Sequence, residues 1–299
     1  MNLKQLEAFV QVAEFKSFSQ AAKKLFLTQP TISAHIASLE KELNVRLFIR
    51  NTKDVSLSES GERLYKYAHQ IVDIEERIEQ EFSNSTQHKK RITIAASTVP
   101  AQYLLPQILA IFGDKYPDEQ MQLLELDSAK VIQLVAEHEV EVGFTGTVLD
   151  EKHCKYLPFY EDELVIITPN NETYQKLRTE KLSKWLLNEK FIMREEGSGT
   201  RTEAESKLEI SGIAINQLNV VASIANQETI KRSVAKGMGI SIISKLAVEE
   251  EIQSGKLCAI TFSDTDNKRN LNLVYNKNYQ LSSSAAKFIK TVKQMYKIK

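Results

Sequence analysis

Several features that mark particular classes of protein are missing from this sequence. Cysteine occurs only twice, at Cys154 and Cys258, and this wide separation excludes the close spacing of a metal or dithiol motif. No stretch approaches the roughly 18 apolar residues of a membrane span, and no charged leader precedes an apolar run at the start. We therefore expect two ordinary reduced thiols in a cytoplasmic protein that does not contact the membrane.

Enzyme signatures are missing too. The HExxH, GxSxG and GxxxxGK motifs of metallopeptidases, serine hydrolases and phosphate-binding loops do not occur. The five histidines are scattered along the chain, at His35, His69, His88, His138 and His153. These absences argue against catalysis, and they give no reason to expect a metal or an organic cofactor.

An excess of charge of one sign is also missing, since 39 basic residues balance 39 acidic ones. DNA binding depends on local rather than total charge, however. Residues 1–58 contain eight basic and five acidic side chains, a net charge of +3, whereas residues 59–88 contain three basic and seven acidic ones, a net charge of −4. Only the first segment is therefore a candidate for contact with phosphates.

Two short helices joined by a sharp turn are predicted in the run SFSQAAKKLFLTQPTISAHIASLE, residues 17–40. We expect the hydroxyl of Ser19 to cap the first helix, which ends near Leu25. Thr28 is a good cap for the second helix, and Pro30 lies in its first turn, where a missing N–H group does no harm. This is a helix-turn-helix pattern, and it indicates DNA binding.

Apolar residues along the second helix recur every three or four positions, which predicts one face turned to the core. These predicted core residues are Ile32, Ile36, Leu39 and Leu43. The opposite face then presents small residues that suit a helix seated in a groove, namely Pro30, Ala34, Ala37 and Ser38.

A long helix is predicted from Ser58, a serine cap followed by acidic residues. Its apolar positions alternate by three and four over about two heptads, a pattern that fits pairing with a second copy of the helix in a dimer. They are Leu64, Tyr67, Ile71, Ile74 and Ile78. Packing against the chain's own DNA-binding module is the alternative, and one helix can do both on different faces. The polar segment SNSTQHKK, 83–90, is predicted as a hinge.

Beyond this hinge, short β-rich runs alternate with helical stretches, which predicts an α/β domain with mainly parallel sheets. Helices are expected near 105–112 and 130–138. The predicted strands are 92–97, 121–126, 141–144 and 164–168, with 191–193, 220–221 and 240–243 in a second sheet. At 299 residues and 42% hydrophobic content, the chain is long enough for two or three domains.

Motifs along the whole chain resemble the LysR-type bacterial transcriptional regulators. Besides the helix-turn-helix, the runs VRLFIRN, 45–51, and VSLSESGERLY, 55–65, have the order and spacing of that family, the first being its wing. The resemblance implies an α/β multidomain protein with a winged helix-turn-helix, a linker helix and a two-lobed effector domain like a periplasmic binding protein. The implied division is 1–58 for DNA binding, 59–90 for the linker, dimerisation helix and hinge, and 91–299 for the effector domain, with lobe one about 91–161 plus 267–299 and lobe two about 162–266.

The resemblance also implies partners. These are double-stranded DNA, a small effector and further copies of the chain, in a dimer and then a tetramer, with RNA polymerase as another candidate. The effector is expected to close the cleft, to change how the effector domains pack in the tetramer, and so to alter the spacing and bend of the paired DNA modules.

Base contacts are expected from the first turns of the second helix, and phosphate contacts from helix starts and the wing. Many family members have a basic or long polar residue near Ala34, so base reading here is expected to rest on Gln29, Thr31 and Ser33. Gln29 has the alternative of being only a helix-start residue, and partial packing is the simpler expectation for His35. The full predicted set is Ser19, Gln20, Thr28, Gln29, Pro30, Thr31, Ser33, Ala34, His35, Arg50 and Lys53.

Three predicted strand-to-helix turns bring hydroxyl and backbone amide groups together in the family's effector cleft. Glycines at such turns permit close backbone approach, and a helix that starts near Thr200 offers free N–H groups to a small anion. The alternative is that these hydroxyls are only caps. The predicted effector-binding residues are Ser97, Thr98, Val99, Thr145, Gly146, Thr147, Ser198, Gly199 and Thr200. For Arg194 and Arg201 the sequence leaves open whether they contribute to the site, since either could instead pair on the surface with Glu195, Glu196 or Glu203.

Two runs, REEGSGTR at 194–201 and ASTVPAQYLLP at 96–106, resemble the subgroup that controls sulfur assimilation and selenium metabolism. This resemblance suggests sulfate, sulfite, thiosulfate or acetylated serine as effector. An organic carboxylate is the alternative within the same type of regulator. A solute-binding module without DNA is the alternative from another class, and it would need an export signal.

Overall fold

The computed structural model describes residues 1–50, 55–82, 90–177, 185–262 and 267–298. The chain divides into two compact units, Met1–His88 and Lys89–Lys299. Each unit has its own hydrophobic cores. No helix in the described ranges is both long enough and apolar enough to cross a membrane.

Helices and strands alternate along most of the second unit, whereas the first is mainly helical. The α-helices are α1 (Leu3–Phe15), α2 (Phe18–Lys24), α3 (Gln29–Leu43), α4 (Glu59–Phe82), α5 (Leu105–Lys115), α6 (Ser128–Ala136), α7 (Glu172–Leu177), α8 (Gly199–Ile210), α9 (Gln227–Ala235), α10 (Glu249–Gln253) and α11 (Ser283–Met295). The strands are β1 (Phe48–Arg50), β2 (Val55–Leu57), β3 (Lys90–Ser97), β4 (Glu119–Leu126), β5 (Val142–Thr145), β6 (Cys154–Pro169), β7 (Lys190–Met193), β8 (Asn219–Ser223), β9 (Ser241–Ser244), β10 (Leu257–Thr261) and β11 (Lys268–Asn276).

Capping residues set the starts of α2 and α3. The prediction that Ser19 caps the first of these helices is wrong, because α2 begins at Phe18 and the hydroxyl of Ser17 accepts the N–H of Gln20 at 3.3 Å. Thr28 caps α3 as predicted, with its hydroxyl accepting the N–H of Thr31 at 3.4 Å. Pro30 lies in the first turn of α3, which is also as predicted.

The core of the first unit confirms most of the apolar pattern of α3. Ile32, Ile36 and Leu39 are fully buried against α1 and α2. The fourth predicted core residue, Leu43, is 37% exposed, which contradicts the prediction. The helix ends at that position and the next residue, Asn44, is left-handed with φ 52°, so the chain turns away there.

A two-stranded wing follows α3, with β1 and β2 antiparallel and Phe48 opposite Leu57. Residues 51–54 between the two strands lie outside the described residues. The buried carboxylate of Glu40 fixes the start of the wing, because its Oε1 accepts the N–H groups of Leu47 at 2.7 Å and Phe48 at 3.4 Å. Gly61 in α4 packs so closely on this segment that an added Cβ would clash with the carbonyl oxygen of Leu47.

Helix α4 has two apolar faces. Ser58 caps its first turn as predicted, accepting the N–H of Gly61 at 3.0 Å. One face packs on the first unit's core through Ala68 and Val72, mainly against α1. The other face is 38% to 68% exposed in the single chain and consists of Tyr67, Ile71, Ile74 and Ile78. One face of the helix thus packs on its own unit, and the other is available for pairing with a second copy. Most of the predicted hinge, 83–89, lies outside the described residues.

The second unit is built on a mixed seven-stranded sheet of order β10-β6-β11-β5-β3-β4, with β9 joined to β6. All seven predicted strands are present within one or two residues, although 164–168 forms only the second half of the 16-residue β6. The prediction of mainly parallel sheets is wrong. Strands β3, β4 and β5 are parallel, but β6 pairs antiparallel with β11, β9 and β10.

The second predicted sheet is also smaller than expected. Strands β7 and β8 form a parallel pair, whereas β9 pairs with β6. Ile240, the residue before β9, meets Phe191 of β7 at a single bridge. The halves of β6 enter different cores, since Phe159 packs with β3, α5 and α11 and Leu164 packs with β7 and α8. Together with β11, strand β6 therefore connects two lobes.

The Glu40 contact gives a test of the first unit's stability. Replacing Glu40 with Ala leaves the buried N–H of Leu47 without its acceptor, and we expect a loss of about 1–3 kcal/mol. Urea unfolding of the full chain measures the loss, and hydrogen exchange at 40–48 assigns it to this unit. The control is Glu42→Ala on the exposed face of α3, which should change stability by less than about 0.5 kcal/mol. Equal effects of the two changes would contradict this role of Glu40.

Candidate nucleic-acid interface and ligand cleft

The start of α3 presents a group of polar and small side chains to solvent. Thr28, Gln29, Pro30 and Ala34 are exposed, whereas Thr31, Ser33 and His35 are half-buried. The Ser19 hydroxyl, on α2, donates to Oε1 of Gln29 at 3.2 Å. The two predicted DNA-binding helices are thus tied together at this point.

This surface has the chemistry of base reading. A glutamine amide offers both donors and an acceptor to a base edge, and small residues such as Ala34 and Ala37 permit close approach of the helix to a groove. Gln20 is exposed on α2 beside two exposed cations, Lys23 and Lys24. The side chain of Arg50 and all of Lys53 lie outside the described residues. The phosphate contacts predicted for the wing therefore stay predictions.

A cleft forms in the second unit where strand-to-helix turns from both lobes meet. The enclosed space at its centre is about 10 Å³, roughly the room of one water molecule. Seven of the nine predicted effector residues line it, and the complete lining is Ser97, Thr98, Val99, Asp127, Ser128, Gly146, Arg194, Ser198, Gly199, Thr200 and Arg269.

The other two predicted residues, Thr145 and Thr147, do not line this space. The Thr145 hydroxyl donates to the carbonyl oxygen of Thr147 at 2.9 Å and is fully buried. The Thr147 hydroxyl donates to Oε1 of Glu203 on α8 at 2.8 Å. Their hydroxyls therefore hold the turn and tie the two lobes together.

The N-terminus of α8 forms one wall of the cleft. Ser198 caps it, with Oγ accepting the N–H of Arg201 at 3.4 Å. The N–H groups of Gly199 and Thr200, the first two residues of the helix, have no acceptor within the helix. Such groups favour a small anion, as the sequence suggested.

The lobes meet closely at this wall. The N–H of Ala129 in α6 donates to the carbonyl oxygen of Gly197 at 3.2 Å. A Cβ at Gly199 would lie 2.6 Å from Oγ of Ser128, and Gly197 has a φ of +83° that disfavours any side chain. These two glycines let the backbone of one lobe approach the other.

Arg269 and Asp127 were missed as site residues by the sequence analysis. Arg269 is on β11, directly opposite Asp162 on β6, and only this antiparallel pairing brings it to the cleft. Asp127 follows β4 and caps α6, accepting the N–H of Lys130 at 2.8 Å. It lies at a strand-to-helix turn, the same sequence pattern from which the other effector residues were predicted.

The two arginines of the REEGSGTR run behave differently from each other. Arg194 pairs with Glu195, one of the partners considered, through two contacts of 2.8 Å, but its side chain is buried rather than on the surface. Arg201 pairs with Glu205 at 2.8 Å and not with Glu195, Glu196 or Glu203, the partners considered from the sequence. One turn of helix places Glu205 beside Arg201.

The two cysteine thiols do not line the cleft. Cys154 and Cys258 are both free and buried. Burial raises the pKa of the Cys154 thiol to about 11, which keeps it protonated and poorly reactive near neutral pH. Within the described residues, no group of three or more His, Cys, Asp or Glu side chains is placed to hold a metal ion.

Sequence comparisons identify both parts of the chain. Residues 3–62 match the family of bacterial regulatory helix-turn-helix proteins of the lysR family, and residues 85–297 match the LysR substrate binding domain. An uncharacterized HTH-type transcriptional regulator of Methanocaldococcus jannaschii is 30% identical over 94% of this chain and 95% of its own length. The HTH-type transcriptional regulator CysL of Bacillus subtilis is 28% identical over 97% of this chain and 96% of its own.

The fold agrees with this assignment. Full-length OxyR from Pseudomonas aeruginosa superposes with a TM-score of 0.74 at 19% identity, over 98% of this chain and 95% of that one. Since the two family matches together span nearly the whole sequence, the chain belongs to the LysR family, as a DNA-binding transcriptional regulator with a helix-turn-helix and an effector-binding domain.

Proposed function

We propose that this regulator reads its operator with the first turns of α3, assembles through α4, and responds to a small anion in the cleft between its lobes. The observation that carries the proposal is the exposed start of α3, where Gln29 is held by Ser19 beside small residues. The proposed division is residues 1–58 for DNA binding, 59–90 for linkage and dimerisation, and 91–299 for effector binding.

The reading of DNA is assigned to few side chains. Gln29, Thr31 and Ser33 are proposed to contact base edges, since they lie in the turns that enter the groove. The other proposed contacts are to phosphates or to the groove wall, and they comprise Ser19, Gln20, Thr28, Pro30, Ala34, His35, Arg50 and Lys53. Phosphate contacts position the protein, whereas base contacts determine the sequence it selects.

Assembly is assigned to the uncovered apolar face of α4, formed by Tyr67, Ile71, Ile74 and Ile78. Four large apolar side chains spaced by three and four residues form a stripe that a second copy of the helix can cover. A twofold dimer then presents two reading helices to two half-sites. Tetramer formation, contact with RNA polymerase and a cytoplasmic location are further parts of the proposal.

The cleft is assigned to a compact anion. Hydroxyls of Ser97, Thr98 and Thr200, the amides at the start of α8, and close backbone approach at Gly199 together offer donors without a large apolar wall. The resemblance of two cleft segments to the sulfur-assimilation subgroup favours a sulfur oxyanion or acetylserine. A small organic carboxylate has the same binding chemistry and is the alternative.

Regulation requires that the effector bind one arrangement of the assembly better than another. Closure of the cleft around the anion changes the surfaces that the two lobes present to other copies. The proposed consequence is a change in the spacing of the paired DNA-binding modules on the operator.

The DNA assignment is tested by Gln29→Ala. We expect about 10-fold or more loss of affinity for an operator selected by the wild-type protein from random duplexes, because a bidentate base contact is lost. Affinity for unrelated duplex, and the dependence of binding on salt, should not change. Fluorescence anisotropy over a range of salt concentrations measures both. Glu42→Ala at the other end of α3 is the control, and equal loss on both duplexes would contradict base reading by Gln29.

The assembly surface is tested by Ile71→Glu. A charge in an apolar interface should weaken self-association by at least about tenfold, because it must be desolvated without a partner. Sedimentation equilibrium measures the association constant. The matched control is Ile210→Glu, since Ile210 is 71% exposed on α8. Unchanged association of the Ile71 variant would exclude this face as the dimer contact.

The effector assignment is tested by thermal unfolding with sulfate, sulfite, thiosulfate, selenite, acetylserine and aromatic carboxylates. A bound ligand raises the unfolding temperature. In Thr98→Ala we expect about 3- to 10-fold weaker binding, from loss of one hydrogen bond. Thr93→Ala, on the preceding strand β3 and outside the cleft lining, is the control. A response only to carboxylates would exclude the sulfur oxyanions, and a response to none would contradict the anion cleft.

A further inference from the structure

Arg269 is a charged side chain that is almost fully buried beside the cleft. Its side chain is 2% exposed, and its Nε donates to Oδ2 of Asp162 at 2.8 Å. The other oxygen of Asp162 accepts the hydroxyl of Ser244 at 2.7 Å. Both carboxylate oxygens are therefore engaged, and they hold one edge of the guanidinium in place.

The rest of the guanidinium is only partly used. Nη1 donates to the hydroxyl of Thr200 at 3.2 Å and to the carbonyl oxygen of Gly146 at the long distance of 3.5 Å. Nη2 lies 2.8 Å from Oδ2 of Asp162, but it makes no aligned hydrogen bond to any group in the described residues. Buried N–H donors of an arginine normally have acceptors, so this edge has capacity for one.

Arg269 itself lies at the cleft. Arg269 lines the same small space as Ser97, Ser198 and Gly199. A Cβ at Gly146 would lie 3.0 Å from Nη1, so the missing side chain leaves room for the guanidinium. Arg269 thus touches lobe one at Gly146, lobe two at Thr200, and the pair of strands that connects them.

We propose that Arg269 is the specificity-determining cation of the effector cleft. It binds the negatively charged group of the effector through the N–H of Nη2 that Asp162 does not engage, while Thr200 and the first amides of α8 donate to the same group. This inference rests on the proposed effector site and names the residue that makes the site prefer an anion to a neutral molecule of the same shape.

Asp127 refines the class of ligand. Its carboxylate lines the same space, and its Oδ1 accepts the N–H of Lys130. Oδ2 accepts no hydrogen bond from the described residues. An anion is attracted at Arg269 and repelled at Asp127, so the fitting effector is a compact anion that carries a hydroxyl or ammonium donor on its other side.

The test compares ligand binding by full-length variants. Arg269→Gln removes the cation, and the double variant Asp162→Asn with Arg269→Gln removes it without leaving a buried carboxylate unpaired. Arg269→Lys keeps the charge without the planar fork. The control is Arg201→Gln, a cation on α8 that pairs with Glu205 and does not line the cleft. Probes are sulfate, thiosulfate, acetylserine and the neutral-headed carboxamide of acetylserine, measured by isothermal titration calorimetry.

We expect the wild-type protein to prefer acetylserine to its carboxamide. Both Gln variants should bind the anionic probes at least about tenfold more weakly and lose this preference, because the charge-assisted hydrogen bond is gone. Arg269→Lys should keep the preference with weaker binding. Arg201→Gln should match the wild type within about twofold, as expected for a partly exposed pair.

Other results would overturn the inference in recognisable ways. If the variants fold and bind the anionic probes as the wild type does, Arg269 is only structural and the proposed cleft stands. If binding of acetylserine and of its carboxamide falls equally, the residue shapes the cleft without selecting charge. If the wild-type protein binds none of the probes, both this inference and the proposed anion site fail. If Arg269→Gln does not fold, the binding data of Arg269→Lys and of the double variant Asp162→Asn with Arg269→Gln are used to test the inference.

Discussion

The antiparallel pairing of β6 with β11 is the constraint on which the effector domain depends. These two strands are the connection between the lobes, and their register places Arg269 directly opposite Asp162. A one-residue slip of β11 would turn Arg269 to the other face of the sheet and separate it from Asp162 and the cleft. The same register places Leu271 and Leu273 in the core of lobe one, so hydrophobic burial holds the polar site in position.

The cleft follows from where strands end. Turns after β3, β4 and β5 in one lobe, and after β7 in the other, lie at the carboxyl ends of parallel strands, which is where open α/β sheets bind ligands. Each turn then starts a helix or a tight bend whose amides need acceptors. Glycine at 146, 197 and 199 allows these turns to approach one another, and hydroxyls satisfy some of the exposed groups. The polar character of the site is therefore a consequence of the fold.

Local signals in the sequence predicted local features well. Caps and proline located the start of α3, and strand patterns located the ends of β3, β4, β5, β7, β8 and β9 within a residue or two, although only the second half of β6 was predicted. Prediction failed where the answer depended on distant partners. Ser17 rather than Ser19 caps α2, because Ser17 has the extended backbone of a cap residue and Ser19 already lies inside the helix. Arg269 was missed because its place in the cleft follows from pairing with a strand more than a hundred residues earlier. Thr145 and Thr147 were assigned to the ligand, although their hydroxyls have protein partners within reach.

The size of the cleft limits how an effector can act. Two contacts between the lobes, from Ala129 to Gly197 and from Thr147 to Glu203, hold the lobes together beside a partly open space of about 10 Å³. In the proposed mechanism the effector favours the closed arrangement that keeps these contacts, and only its surplus affinity for that arrangement shifts the equilibrium. Reversing a population from about 1:99 to 99:1 needs a preference of about 10⁴-fold. Few neutral contacts reach that preference, whereas a buried guanidinium with one N–H left without an acceptor in the described residues contributes strongly to it. The charge at Arg269 is therefore the feature that allows a small molecule to bind one arrangement of the lobes strongly enough to favour it.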